Sequence, residues 1–154
     1  MDSIDRIILQ RLAANGRLPW SELGKEVGLT APSVAERVQK LERSGVITGY
    51  AALLSPEGLG LDLTAFIAVT VERPELCAPF LAAVHEMDEV LECHHVAGDD
   101  SYLLKVRTPS TRSLERLISD GLKRLPGVTR TRTTIVLSTA KEAVNPALPG
   151  PEKP

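Results

Sequence analysis

The chain has 154 residues, 43% of them hydrophobic and 25% charged, with a formal net charge of −2. That length suits one medium domain or two small ones, and the composition is ordinary for a globular protein. It excludes a membrane span, which needs about 20 consecutive apolar residues. It also excludes a surface coated in cationic charge, though not a local basic patch.

The start, "MDSIDRIILQ", lacks the basic and apolar run of a signal peptide, so a cytoplasmic protein is expected. Cys77 and Cys93 lie too far apart for a metal-ligand pair and read as free thiols packed as small apolar groups. No metal or cofactor is called for. Residues 1–50 carry seven Lys/Arg and six Asp/Glu, and the remainder eleven and fourteen. A near-neutral first module therefore precedes an acidic body.

Three helical patterns open the chain. Ile4, Ile7, Ile8 and Leu12 share one face of a helix over residues 3–14, with Gly16 as its expected stop. A second helix begins near Trp20, with Ser21 as a candidate N-cap and Gly28 as its end. Thr30 is the N-cap expected for the third, with Pro32 in its first turn and Val34, Val38 and Leu41 as its buried stripe. Two short helices joined by the tight turn in "EVGLTAPS" form a helix-turn-helix signature. "VITGYAALLSPEGLG" then reads as a strand and connector.

The second half changes period. Residues 64–72 alternate as a strand, and Leu76, Phe80, Val84 and Met87 fall on one helical face. Strands are predicted over 90–97 and 102–108. An amphipathic helix follows, with Ser110 as N-cap and Leu114, Leu117, Ile118, Leu122 and Leu125 inward, and a last strand covers 128–137. The order βαββαβ is that of a ferredoxin-like fold. "FIAV", "LLKV" and "TIVL" place apolar residues on both sheet faces, so a partner subunit is expected to cover the second.

The expected class is α+β: a winged-type helix-turn-helix domain (1–48), a connecting strand or linker (49–62), a ferredoxin-like βαββαβ domain of RAM/ACT type (63–142) and a Pro-rich disordered tail (143–154).

Over nearly its whole length the sequence resembles the leucine-responsive/asparagine-responsive (Lrp/AsnC, feast/famine) transcription regulators. "DSIDRIILQRLAANGR", "SELGKEVGLTAPSVAERVQKLERSGVITGYAALLSPEGLG", "ECHHVAGDDSYLLKV" and "RLPGVTRTRTTIVL" carry the resemblance. It implies binding of double-stranded DNA through the first domain. It also implies dimers assembling into tetramers, octamers or larger discs, and an amino-acid effector held between C-terminal domains.

In a helix-turn-helix the start of the second helix meets base edges, and flanking groups hold phosphates. Here those positions are Thr30, Ala31 and Ser33, with Arg37 as a guanine or phosphate contact and Lys40 and Arg43 as phosphate contacts. Glu36 either accepts from a cytosine amine or pairs with Lys40 one turn on. The bland alternative is that "ERVQKLER" is a solvated helix face.

"GDDSY" reads first as a hairpin connection. Adjacent Asp99 and Asp100 point to opposite sides of an extended segment, which does not suit a metal or a paired-acid site. The resemblance implies that Gly98, Asp99 and Tyr102 belong to an effector loop. Ser101 departs from the family pattern, which leaves Asp100 to take the ammonium contact or the effector to differ; Thr134 is a weaker pocket candidate. His85, His94 and His95 read as surface residues. The reading is therefore a regulator rather than an enzyme. The competing readings are a tetrapyrrole (siroheme) decarboxylase-like enzyme with a relic helix-turn-helix, and a metabolite sensor acting through protein contacts alone.

Overall fold

The computed structural model describes residues 1–149. The chain divides into two compact units: residues 1–53 joined by the segment from Lys141 onward, and residues 54–140.

The first unit is built on three helices, α1 (Ser3–Ala14), α2 (Trp20–Val27) and α3 (Ala31–Arg43). Asp2 and Asp5 form a reciprocal capping box that starts α1. Asn15 in extended conformation ends α1, so the stop is not the expected Gly16. Pro19, not Ser21, precedes α2; its fixed φ starts the helix without a side-chain cap. Gly28 closes α2 in the left-handed region, at φ +70°. Gly24 faces the turn that follows, where a Cβ would collide with the Leu29 carbonyl oxygen. The α2–α3 turn is therefore tight because position 24 has no side chain. Thr30 caps α3 as expected, accepting from the Ser33 amide at 3.4 Å. Ile8, Leu9, Leu12, Leu23, Val34, Val38 and Leu41 form the small core.

Among the described residues no strand forms between α3 and the sheet, so of the two expectations for this segment, strand or linker, it has the form of a linker. A strand needs a ladder partner, and residues 46–54 have none here. The segment holds to its own unit through Ile47 on the core and the Tyr50 hydroxyl, which donates to Glu42 at 2.9 Å. Burial, and then that bond to a carboxylate, push the Tyr50 phenol up to about 12.

The second unit is a four-stranded antiparallel sheet in the order β2-β3-β1-β4, made by β1 (Leu63–Val71), β2 (Val90–His95), β3 (Tyr102–Thr108) and β4 (Val128–Ile135). Helices α4 (Cys77–His85) and α5 (Thr111–Arg116) complete the βαββαβ order. Ala65, Ile67 and Val69 of β1 and Tyr102, Leu104 and Val106 of β3 pack with Phe80, Val84, Leu114, Leu117 and Leu122. The helix expected to continue from α5 to Leu125 changes pitch instead. A π turn spans Leu117–Gly121 and a 3-10 turn spans Leu122–Arg124. A five-residue step from Leu117 to Leu122 matches an i→i+5 turn and keeps both leucines on the sheet.

Registers Phe66↔Lys105, Ala68↔Leu103 and Ala68↔Arg132 define the sheet's other face. Phe66 and Leu103 are half-buried there beside charged side chains, so the apolar second face is narrower than expected. The tail was expected to be disordered from residue 143. It has no regular structure, but over its described part it lies against α1: the Asn145 side chain donates to the Ala13 carbonyl at 3.4 Å, and Leu148 packs on the first core. Residues 150–154 of that expectation lie outside the described residues.

Candidate nucleic-acid interface and effector cleft

On α3 the buried stripe of Val34, Val38 and Leu41 leaves Pro32, Glu36, Gln39, Lys40 and Arg43 exposed. Gln39 was not singled out from the sequence, although its spacing from Glu36 and Arg43 puts it on the same face. Thr30 and Ser33 stand at the start of the helix with their hydroxyls 2.9 Å apart. Ala31 is half-buried beside them. Neither Glu36 nor Lys40 forms an ion pair among the described residues, so the expected pair within α3 is not made and Lys40 is uncommitted.

Arg37 makes contacts that the sequence did not indicate. Its guanidinium donates to Asp2 and to Asp5, each at 2.7 Å. It therefore ties α3 to the first turn of α1. The Asp5 amide and then the Arg37 guanidinium hold the Asp2 carboxyl below its ordinary range. The same contacts, with Asp2 and then Asp5 as the main causes, raise Arg37.

In the second unit, residues 96–101 connect β2 and β3, closed by a Val96 amide to Ser101 carbonyl bond of 3.1 Å. A cleft of about 590 Å³ is lined by this loop with Val71, Glu72, Pro74, Cys77 and His95. Gly98, Asp99, Asp100, Ser101 and Tyr102 all line it. Thr134 does not; register places it opposite Phe66 on the other sheet face.

The two acids diverge as expected of adjacent extended residues. Asp99 is exposed, and among the described residues its carboxylate has no partner. Asp100 is 8% exposed and fully engaged: Thr70 donates at 3.0 Å, Arg130 at 3.1 Å and Arg132 at 2.7 Å. Burial opposes its charge, but Thr70 and the two guanidiniums outweigh that and hold the Asp100 carboxyl below its ordinary range. Its charge is already balanced, so it is poorly placed to take a ligand ammonium. Ser101 extends the β1–β3 pairing into the loop, its hydroxyl accepting from the Val71 amide at 3.1 Å.

Tyr102 is 4% exposed, its ring 5.0 Å from Phe80 and 5.2 Å from His95. The Cys77 contact, then burial, raise its phenol to about 12. The amides of Gly98, Asp99 and Asp100 make no hydrogen bond among the described residues, and a Cβ at Gly98 would meet open space. Among the described residues, the cleft thus offers N–H donors without partners beside two carboxylates, Asp99 and Glu72, that make no hydrogen bond or ion pair. Glu72 and Cys77 were missed because only folding brings residues about 20–30 positions away to the loop. His95, read as a surface residue, also lines the cleft, through the alternation of β2.

An AsnC-type helix-turn-helix domain matches residues 1–42, and the Lrp/AsnC ligand binding domain matches residues 64–146. The chain belongs to the Lrp/AsnC family. Within it, the chain is 44% identical to the leucine-responsive regulatory protein of Salmonella typhimurium over 145 residues, covering 93% of this chain and 88% of that protein. The Escherichia coli K12 leucine-responsive regulatory protein is 43% identical with the same coverage.

Among solved Lrp/AsnC structures, a Neisseria meningitidis transcriptional regulator in complex with L-methionine has a TM-score of 0.91 at 35% identity, covering 97% of this chain and 96% of that one. The feast or famine regulatory protein of Mycobacterium tuberculosis, complexed with L-methionine, has a TM-score of 0.85 at 41% identity over 94% and 97%. E. coli AsnC has a TM-score of 0.88 at 30% identity over 92% and 95%. The chain is thus a transcriptional regulator of the Lrp/AsnC family with a helix-turn-helix DNA-binding domain. These relatives lend no support to the tetrapyrrole decarboxylase reading. No helix among the described residues is long and apolar enough to cross a membrane.

Proposed function

We propose that this regulator binds DNA through the exposed face of α3 and is switched by an amino acid held at the 96–102 loop. The observation that carries the effector half is the pairing, in one cleft, of unbonded amides at residues 98–100 with the free carboxylates of Asp99 and Glu72. Unbonded amides suit an α-carboxylate, and a free carboxylate suits an α-ammonium. Methionine is the first candidate because two similar structures hold it. The Asp100 clamp moves the ammonium contact to Asp99 or Glu72.

On α3, Thr30, Ser33, Glu36 and Gln39 are placed to face bases, and Lys40 and Arg43 to hold phosphates. Arg37 acts by orienting α3 against α1. The working form is a dimer or higher assembly in the cytoplasm, supported by Phe66, Ala68 and Leu103 on the open sheet face and by exposed Leu53 and Leu54 on the connector. Thr134 on that open face would then meet a neighbouring subunit. Effector binding shifts the population of assemblies and so decides which half-sites are engaged together.

A thermal-shift panel of the twenty amino acids tests the reading. At least one amino acid raises the melting temperature of the wild type, because ligand binding to the folded state stabilises it. Asp99→Asn or Glu72→Gln weakens that shift. Sedimentation with and without the hit reads the assembly. A panel in which no amino acid moves the transition overturns the effector half.

A further inference from the structure

The lining of the 96–102 cleft divides by chemistry. Glu72 and residues 98–101 supply its polar groups, while Val71, Pro74, Cys77, Val96 and the Tyr102 ring supply an apolar wall. No lysine or arginine lines the cleft among the described residues, so an acidic side chain would find no counter-ion there. The members of the wall are not equally free to change. Val71 and Tyr102 are buried strand residues of the core, and the Val96 amide closes the loop. Pro74 is exposed and opens the 3-10 turn (Pro74–Leu76) that leads into α4. Cys77 is the first residue of α4, half-buried and packed against the core. Its thiol donates to the Arg73 carbonyl at 3.9 Å, and its sulfur contacts the Tyr102 hydroxyl. Nearly one helical turn on, Phe80 is fully buried with its ring 5.0 Å from that of Tyr102. Cys77 lines the cleft and Phe80 does not, so the thiol stands between the cleft and this aromatic pair.

We propose, resting on the reading of this cleft as the effector site, that Cys77 is its specificity-determining residue. The effector side chain lies on the thiol, and the size of residue 77 sets how long a side chain is admitted. An effector with its α-carboxylate on the 98–100 amides and its α-ammonium on Asp99 or Glu72 has only the apolar wall left for its side chain. A thiol makes a small, polarisable floor there, which suits a long apolar or thioether chain. A larger residue at 77 would fill the space that such a chain needs and leave room for a short one. A smaller residue would deepen the cleft toward Phe80 without touching the sheet.

The test uses the full-length chain in two measurements. L-Alanine, L-leucine and L-methionine are titrated calorimetrically into the wild type, Cys77→Ala and Cys77→Leu. Iodoacetamide labelling of the wild type is followed by mass spectrometry at Cys77 and Cys93 separately. Cys77→Leu is expected to weaken methionine roughly tenfold and to change alanine by less than about twofold, the scale of one methylene-sized change in an apolar pocket. Cys77→Ala is expected to shift the ratio of leucine to methionine affinity by about threefold. Methionine slows labelling of Cys77 and leaves Cys93, which lines a separate groove between α4 and β2, unchanged. The labelling needs no substitution, so it decides the question even where a variant fails to fold. Methionine that binds without slowing Cys77 labelling, or one ranking of the three amino acids in all three proteins, overturns the assignment and leaves the effector reading intact. Binding of none of the three, while another amino acid raises the melting temperature, overturns the assignment too. No amino acid raising it overturns the effector reading and the assignment together.

Discussion

Each unit of this regulator sets a charged clamp of three side chains beside a small apolar core, and the two clamps are inverses. In the helix-turn-helix unit one cation, Arg37, sits between two acids, Asp2 and Asp5. In the effector unit one acid, Asp100, sits between two cations, Arg130 and Arg132. The central groups differ in exposure: the Arg37 side chain is 32% exposed and that of Asp100 is 7%. Water shares the first clamp and screens it. The second has a central group out of water that needs every partner it has. The lesson is that a conspicuous charge in each half is engaged in holding elements together, while neighbours such as Lys40, Asp99 and Glu72 make no ion pair among the described residues.

Core lesions should show the units failing separately. Phe80→Ala removes a fully buried ring and should cost the effector unit about 3–5 kcal/mol. Gly24→Val drives a side chain into the Leu29 carbonyl and should cost the helix-turn-helix unit about 2–4 kcal/mol, abolishing DNA binding. Calorimetry with unit-resolved hydrogen exchange reads both, and one lesion lowering protection equally in both units would break the comparison.

Clamp variants come next in size. Asp100→Asn leaves two guanidiniums without their anion and should lower the melting temperature more than Arg37→Gln does. On the proposed reading, in which Arg37 acts by orienting α3, Arg37→Gln should weaken DNA binding without changing the slope of affinity against salt. Lys40→Ala should instead reduce that log–log slope by about one unit. A slope change of that size in Arg37→Gln would return Arg37 to the DNA.

The smallest effect expected is on acid stability. Asp2 and Asp100 are both held below the ordinary aspartate value of 3.8. Their stabilisation is therefore complete above that range and fades as pH falls below about 4 through the folded values. Asp100→Asn should flatten this acid dependence in the effector unit, and Asp2→Asn in the helix-turn-helix unit. A melting curve between pH 5 and 2 for each variant measures it.

Much of this was legible in the residues in order. The 3.6 and 2 periodicities mark the helices and strands, Thr30 and Ser110 mark two helix starts, and β3 falls on its predicted bounds, because these signals are local. The glycine-led loop likewise falls between two apolar runs that must be adjacent strands. Local signals do not say who partners whom. Arg37 reads as a DNA contact, and the sequence does not show that folding also brings it to a capping box 32 and 35 positions away. Asp100 reads as a ligand group, and only folding shows that β4 supplies it with two guanidiniums; the described part of the tail likewise meets a bare carbonyl and a patch of core on α1 that the sequence does not reveal. The connector's β-branched residues satisfy the pattern of a strand, yet a strand exists only where a second backbone stands beside it. Helix and strand follow from periodicity along the chain; the commitment of a charge, a carbonyl or an apolar edge is settled by what distant segments bring within a few ångströms.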